Sequence, residues 1–330
     1  TASGDGIVIT SSDGTTVTTT PITQADLLSF MKLSDVDGDA TGPDTAAAGA
    51  GSITILSNGE TADTLNWNFD SIAETFDFLA KGETIELTYT VTLDDQNNVV
   101  VASASDGEVS TATQTITILI TGTNDAPEIA VVDNTAGTDA AGDSPLYETD
   151  AALAASGSFT ITDIDVTDVV TATVTGVTAA VTASDSGFIA VTTAGDLDQV
   201  SITGDVDGAR IIDNATLLSF MNLSDVDGDT TGPDAADASS PTALPPTITI
   251  LSDGETADTL NWNFDSIAET FDFLGLGETL ELTYTVQVAD NQGVDTASAS
   301  DGEVSSDAAL SFETITILIT GTNDAPEIAV

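Results

Sequence analysis

The sequence predicts an all-β protein, a row of β-sandwiches. Apolar residues alternate with Thr, Ser or acids over short runs, clusters of Gly, Asp and Asn separate those runs, and long blocks of sequence recur. Residues 84–92 (TIELTYTVT), 115–121 (TITILIT), 158–163 (SFTITD) and 169–175 (VVTATVT) each alternate at period two. That spacing puts one set of side chains on one face of a strand. Val, Ile and Thr dominate these runs, and their branched side chains suit a pleated surface. Helical spacing is confined to 26–33 and 71–80 and their counterparts, each about two turns. Trp67, Phe69, Phe76, Phe78 and Tyr89 sit among alternating runs, as do Trp262, Phe264, Phe271, Phe273 and Tyr284. All ten are expected in a core.

The repeats define the organisation. Residues 53–79 return at 248–274 with one change, Asn58 to Asp253. Residues 115–131 return unchanged at 314–330, and LLSFMKLSDVDGD at 27–39 returns as LLSFMNLSDVDGD at 217–229. Lengths differ only in polar stretches, 40–52 against 230–247 and 110–114 against 305–313, which marks surface loops. The repeat is about 199 residues long. The expected domains are 1–126, the last two-thirds of one copy, and 127–330, a full copy with an insertion around 176–250. The first copy has no counterpart of 128–190: if each unit is a single sandwich it has an open sheet edge and lower stability, and if the unit divides near residue 190 it is a complete domain. The opening residues carry no signal-peptide pattern, and the chain reads as cut from a longer array.

Charge restricts function. There are 55 acidic residues and three bases, Lys32, Lys81 and Arg210, for a net charge of −52. Without Cys or His, the chain has no disulfides, thiolate nucleophiles, His-based triads or Cys/His zinc sites. Three scattered bases cannot replace the counterions of a nucleic acid, and no apolar run is long enough to span a bilayer. Paired carboxylates can hydrolyse glycosides, but no cluster of Arg, His or Tyr accompanies any pair here, so no enzyme is expected. A folded chain this acidic repels itself and calls for salt or bound cations.

The acids cluster in three places. TDIDVTD supplies Asp163, Asp165 and Asp168. SDVDGD supplies Asp35, Asp37 and Asp39, and again Asp225, Asp227 and Asp229. TGTNDAPE supplies Asn124, Asp125 and Glu128, and again Asn323, Asp324 and Glu327. Hard oxygen ligands two residues apart at strand ends suit Ca²⁺, which takes six to eight oxygens at about 2.3–2.6 Å; Mg²⁺ keeps its waters and wants stricter geometry. SDVDGD opens like an EF-hand loop, but its twelfth position is Ala46 or Ala236 and flanking helices are missing. It is either a simpler Asp-loop site or a solvated acidic turn.

ITILITGTNDAPEI, FDSIAETFDFLGLGETLELTYTV and ETDAALAASGSFTITDIDVTD, taken together and in order, resemble the VCBS repeat. This is a cadherin-like module found in tandem in very large bacterial surface adhesins, many of the RTX type. The resemblance covers about 128–326 and the whole partial copy. It implies tandem immunoglobulin-like sandwiches, calcium at the domain junctions, a stiff extension region, type I secretion and an extracellular place on the cell surface. Carried over by motif, the junction ligands are Asn124 and Asp125 of the linker, Asp163 and Asp165 of the DxD, Asp290 in TVQVADNQG, and Glu83 of the preceding copy. The same logic at the next junction selects Glu148, Glu278, Asn323 and Asp324. The copy is about twice the length of a minimal module. SDVDGD falls in the extra sequence, where the family implies nothing.

The expected function is therefore a monomeric, calcium-binding extender of an adhesin. Its partners are neighbouring repeats of the same chain, and it projects a terminal adhesive domain in cell adhesion or biofilm formation. Two other readings stay open. One is a glycan- or cell-binding module, and the other is a halophilic structural protein that needs no calcium.

Overall fold

A computed structural model describes residues 8–10, 16–18, 22–35, 46–47, 52–56, 62–72, 74–94, 111–137, 145–182, 189–193, 200–204, 211–225, 245–252, 254–290 and 310–323. The fold is all-β: among these residues there are twenty strands and two helices of one and a half turns. None of the helices is long and apolar enough to cross a membrane. The chain divides into two compact units, Thr1–Thr123 and Asn124–Val330.

In the first unit, β1 (Val8–Thr10) pairs with β2 (Thr16–Thr18). Helix α1 (Gln24–Ser29) leads into β3 (Met31–Ser34), which lies between β4 (Ala46–Ala47) and β5 (Asn66–Phe69). A long antiparallel hairpin joins β6 (Thr84–Asp94) and β7 (Thr111–Thr121) through eleven paired positions.

The second unit contains a two-layer sandwich. Its strands are β8 (Glu128–Asp133), β9 (Thr135–Ala136), β10 (Leu146–Tyr147), β11 (Ala154–Thr162), β12 (Val170–Thr182), β13 (Ile189–Thr193), β14 (Val200–Gly204) and β15 (Ile211–Ile212). Helix α2 (Asn214–Ser219) follows, then β16 (Met221–Ser224), β17 (Thr247–Leu251), β18 (Ala257–Asp265), β19 (Thr279–Ala289) and β20 (Leu310–Thr320). One sheet runs β10-β20-β19-β12-β17, with β9 also on β20; the other runs β16-β18-β11-β8. The alternation predicted from sequence is what fills the core. Leu280, Leu282, Tyr284, Val286 and Val288 of β19 face Leu260, Trp262 and Phe264 of β18, with Phe159 and Ile161 of β11, in one buried cluster. The stretch expected as an insertion contributes to both layers through β16 and β17, while β13, β14 and β15 form a small sheet of their own.

Two local expectations differ from the structure. The helix near 26–33 starts earlier and stops at Ser29, because a capping box between Thr23 and Asp26 sets its start (Thr23 N–H to Asp26 Oδ2 2.9 Å, Asp26 N–H to Thr23 Oγ1 3.2 Å) and β3 begins at Met31. The described residues of 71–80 form single turns. The Asp70 carboxylate takes the amide of Ile72, the Glu74 carboxylate takes that of Phe76, and both Ile72 and Phe76 adopt positive φ. Side-chain acceptors here take amides that a helix would use. The same positive φ recurs at Ile267 and Phe271.

The aromatic sets also diverge. Trp262, Phe264, Phe271 and Tyr284 are buried, and Phe273 packs against their cluster. In the first unit Phe76 and Tyr89 are buried, but Trp67 is 50% exposed. The reason is the strand paired beside Trp262 in the same sheet. Gly157 of β11 lies directly opposite it, and a Cβ there would come within 2.5 Å of the indole and 2.4 Å of the Asp133 carbonyl oxygen. Only a glycine lets the backbone pass so close to the ring. The first unit has no such strand among its described residues.

Gly157→Val should therefore overpack the second unit by about 1–3 kcal/mol. In a unit of this size that lowers the melting temperature by about 2–12 °C. Differential scanning calorimetry would read it, and an unchanged transition would contradict the placement of β11 beside Trp262.

Candidate metal centre

Three separate pieces of the second unit bring acids to one place. β11 ends at Thr162, and the next amide, that of Asp163, is held by the carbonyl of Thr256 at 3.0 Å. The chain then coils back on itself before β12. The Asp163 carboxylate accepts the Asp165 amide at 3.0 Å, and the Asp165 carbonyl accepts the Asp168 amide at 3.1 Å. This turn gathers Asp163, Asp165 and Asp168 on six residues. Asp290 follows the last residue of β19, the strand paired with β12. Asn124 donates through Nδ2 to Asp290 Oδ2 and to its neighbour's carbonyl, Asp125, both at 2.8 Å. The Asp125 amide donates to Asp165 Oδ2 at 2.8 Å.

Carboxylate oxygens of Asp163, Asp168 and Asp290 lie within 4.8 Å of one another. Asn124, Asp163, Asp165, Asp168 and Asp290 are all at most 4% exposed. Asp163 Oδ2, Asp165 Oδ1 and Asn124 Oδ1 are buried and have no hydrogen-bond partner. The second unit's sequence contains one base, Arg210, which lies outside the described residues. Two carboxylates about 4 Å apart repel by about 4 kcal/mol at an effective dielectric constant of about 20. Burial, then the neighbouring Asp290 and Asp125, push the Asp163 carboxyl up to about 7 against the hydrogen bond from Asp165. Burial also pushes Asp165 up to about 9, with Asp168, Asp163 and Asp125 adding to it, against the hydrogen bond from Asp125.

This donor set fits a hard divalent cation. All donors are oxygens, several carboxylates are present, and three buried oxygens are open to a ligand. Four carboxylates and one amide oxygen can together supply the six to eight contacts that Ca²⁺ takes.

The other candidates have their own partners. Glu83 is in the first unit, where its Oε2 accepts the Ala80 amide at 3.1 Å and its carbonyl accepts that of Gly122. Glu278 repeats this in the second unit, its Oε2 accepting from Gly275 at 2.8 Å and its carbonyl from Gly321. Glu148 is buried, and its Oε1 accepts both the amide and the hydroxyl of Thr322 at 2.5 Å. Asn323 is exposed beside it in sequence, and Asp324 lies outside the described residues. Glu148 and Glu278 thus hold the segment that follows β20. Asp35 and Asp225 are buried just after β3 and β16, whereas Asp37, Asp39, Asp227 and Asp229 are outside the described residues.

Asp168 was set apart from the principal ligands by the motif, yet it completes the set with Asp163 and Asp290. The signal was its place three residues after the DxD, where a turn returns it to the same side.

No family model and no curated protein matches the chain. The likeness to VCBS repeats rests on the quoted motifs alone.

The metal-free protein carries a pH signature. An ordinary Asp ionises near 3.8, so above about pH 4 the folded unit still holds protons that the unfolded chain has lost, at Asp163 up to about 7 and at Asp165 up to about 9. The stability they contribute is full below about pH 4 and is lost as pH rises through about 7 and then about 9. In chelator, Asp163→Asn/Asp165→Asn should therefore gain melting temperature relative to wild type as pH rises from 5 to 9. A difference that stays constant over that range would contradict it.

Proposed function

We propose that the second unit binds calcium through Asn124, Asp163, Asp165, Asp168 and Asp290, and that the chain is an extender segment of a bacterial cell-surface adhesin. The observation that carries this reading is the buried carboxylate cluster with open oxygens and no basic side chain among the described residues of its unit. The ion would supply the positive charge that the chain lacks. Calcium at about 10⁻⁴–10⁻³ M affinity is typical of extracellular modules, where the ion is plentiful.

The residues also suggest a mechanical role. Gly122 is tied to the first unit, its amide donating to the Glu83 carbonyl at 2.8 Å and its carbonyl accepting from Gly82 at 3.2 Å. Asn124 is tied to Asp290 and Asp125 to Asp165 in the second. Thr123 alone separates these anchored stretches. Fixing Asn124 and Asp125 leaves little free chain between repeats, which favours a stiff array. In this reading the protein does no chemistry. It is exported, its partners are neighbouring repeats, and its work is to hold an adhesive domain away from the cell.

Calorimetric titration and melting test the site. At ten times the dissociation constant, calcium should stabilise the second unit by about 1.4 kcal/mol, or about 3–6 °C. Asp165→Asn should weaken calcium binding at least tenfold and leave the unit folded in chelator. Equal melting curves with calcium and with chelator would remove the site.

Stiffness has its own readout. Small-angle scattering of wild type should show a longer maximum dimension and less flexibility in calcium than in chelator, and Asp165→Ala should shift that change to higher calcium. Identical scattering in both conditions would rule out the mechanical role.

A further inference from the structure

The first unit repeats strands of the second without the strands that cover them. In the second unit β18 bonds β11 across nine positions, and β19 bonds β12 across eleven. The corresponding strands β5 and β6 carry nearly the same residues, NWNF in both cases and TIELTYTVT against TLELTYTVQ. Among the described residues, β5 bonds only β3 and β6 only β7. The apolar face beside these open edges is uncovered. Leu56, Trp67 and Leu93 are about half exposed, while their counterparts Leu251, Trp262 and Val288 are fully buried.

We propose that the first unit is an acceptor for a further copy of the segment Glu128–Thr182, which adds as strands along β5 and β6. The second unit shows what fits such a surface, strand by strand. In its register the donor's Gly157 would lie over Trp67, and its Ala155 opposite Phe69. Its Val177 would face Tyr89 and its Val174 would face Val91. The donor's Asp133 carbonyl would meet the Trp67 indole N–H, as it does that of Trp262 at 2.7 Å. Paired strands satisfy the backbone groups of both edges, and alternate side chains supply specificity. The glycine is the most selective feature, since any larger residue would strike the ring. Donor and acceptor are both acidic, so apolar burial and backbone pairing drive the association, and salt favours it.

The test uses the full chain with residues 128–190 added ahead of residue 1, studied in calcium and moderate salt. The added segment contains no Trp, so Trp67 and Trp262 remain the only two reporters. In the unaltered chain acrylamide should quench one of the two tryptophans, and in the extended chain neither. Amides of β6 should gain hydrogen-exchange protection at the same time. Gly157→Val in the added segment alone should restore quenching of Trp67. The same segment supplied as a separate polypeptide should bind the unaltered chain one to one. The proposal is overturned if Trp67 stays quenchable in the extended chain while Trp262 remains protected. It is also overturned if the unaltered chain already shields Trp67 by associating with a second whole copy.

Discussion

Buried negative charge, with no basic side chain among the described residues to meet it, is the constraint around which the second unit is organised. Its acids are placed by backbone turns, so the polypeptide itself supplies part of the compensation: the amides of Asp125 and Asp165 and the Asn124 carboxamide donate to three of the carboxylates. Such bonds favour the ionised form. They do not outweigh burial, which is why Asp163 and Asp165 hold protons far above the ordinary range. The cluster is completed only by something positive, a proton or a cation. Among the described residues of the unit no basic side chain supplies it.

A second constraint acts through strand partners. Nearly identical sequences occupy different environments in the two units, and local propensity cannot account for it. Trp67 and Trp262 have the same neighbours along the chain, and both lie in strands paired with an MKLS or MNLS strand. They differ in the strand paired on the other side. Burial of an aromatic ring in a sheet depends on a strand far away in sequence, here more than a hundred residues from Trp262. Among the described residues of the first unit no strand holds that place beside Trp67, and the ring is half exposed.

Much of the fold was legible in the sequence, because period-two alternation maps directly onto faces of strands. The alternating TLELTYTVQV became five inward residues of β19 at every second position, Leu280, Leu282, Tyr284, Val286 and Val288. The 71–80 region was misread for an equally local reason: Glu and Asp side chains captured the amides and positive φ broke the run, neither of which hydrophobic spacing reveals. At the site, the acids within one short turn were visible as a motif. Asn124 was visible in the TGTNDAPE cluster, but Asp290 entered by family resemblance, since its convergence with the turn depends on the pairing of β19 with β12, a long-range event that no single segment encodes. Glu83, drawn in by the same resemblance, belongs to the first unit, where its carboxylate accepts the amide of Ala80.

The two constraints meet in one place. The turn that carries Asp163, Asp165 and Asp168 joins β11 to β12, the strands that cover β18 and β19. Asp290 ends β19 itself. A cation held by both sets of acids would tie a covering strand to the strand it covers, at the end where pairing between Thr171 and Ala289 terminates. Ion binding and strand cover then stabilise each other by linkage, because the ligands are assembled only when β12 is paired. The first unit illustrates the converse. It has Asp95 at the position aligned with Asp290, and among its described residues no strand pairs with β6 on the side where β12 pairs with β19. A segment that supplied the strands would carry the ligands with it, and calcium would strengthen its grip on the acceptor by the same linkage.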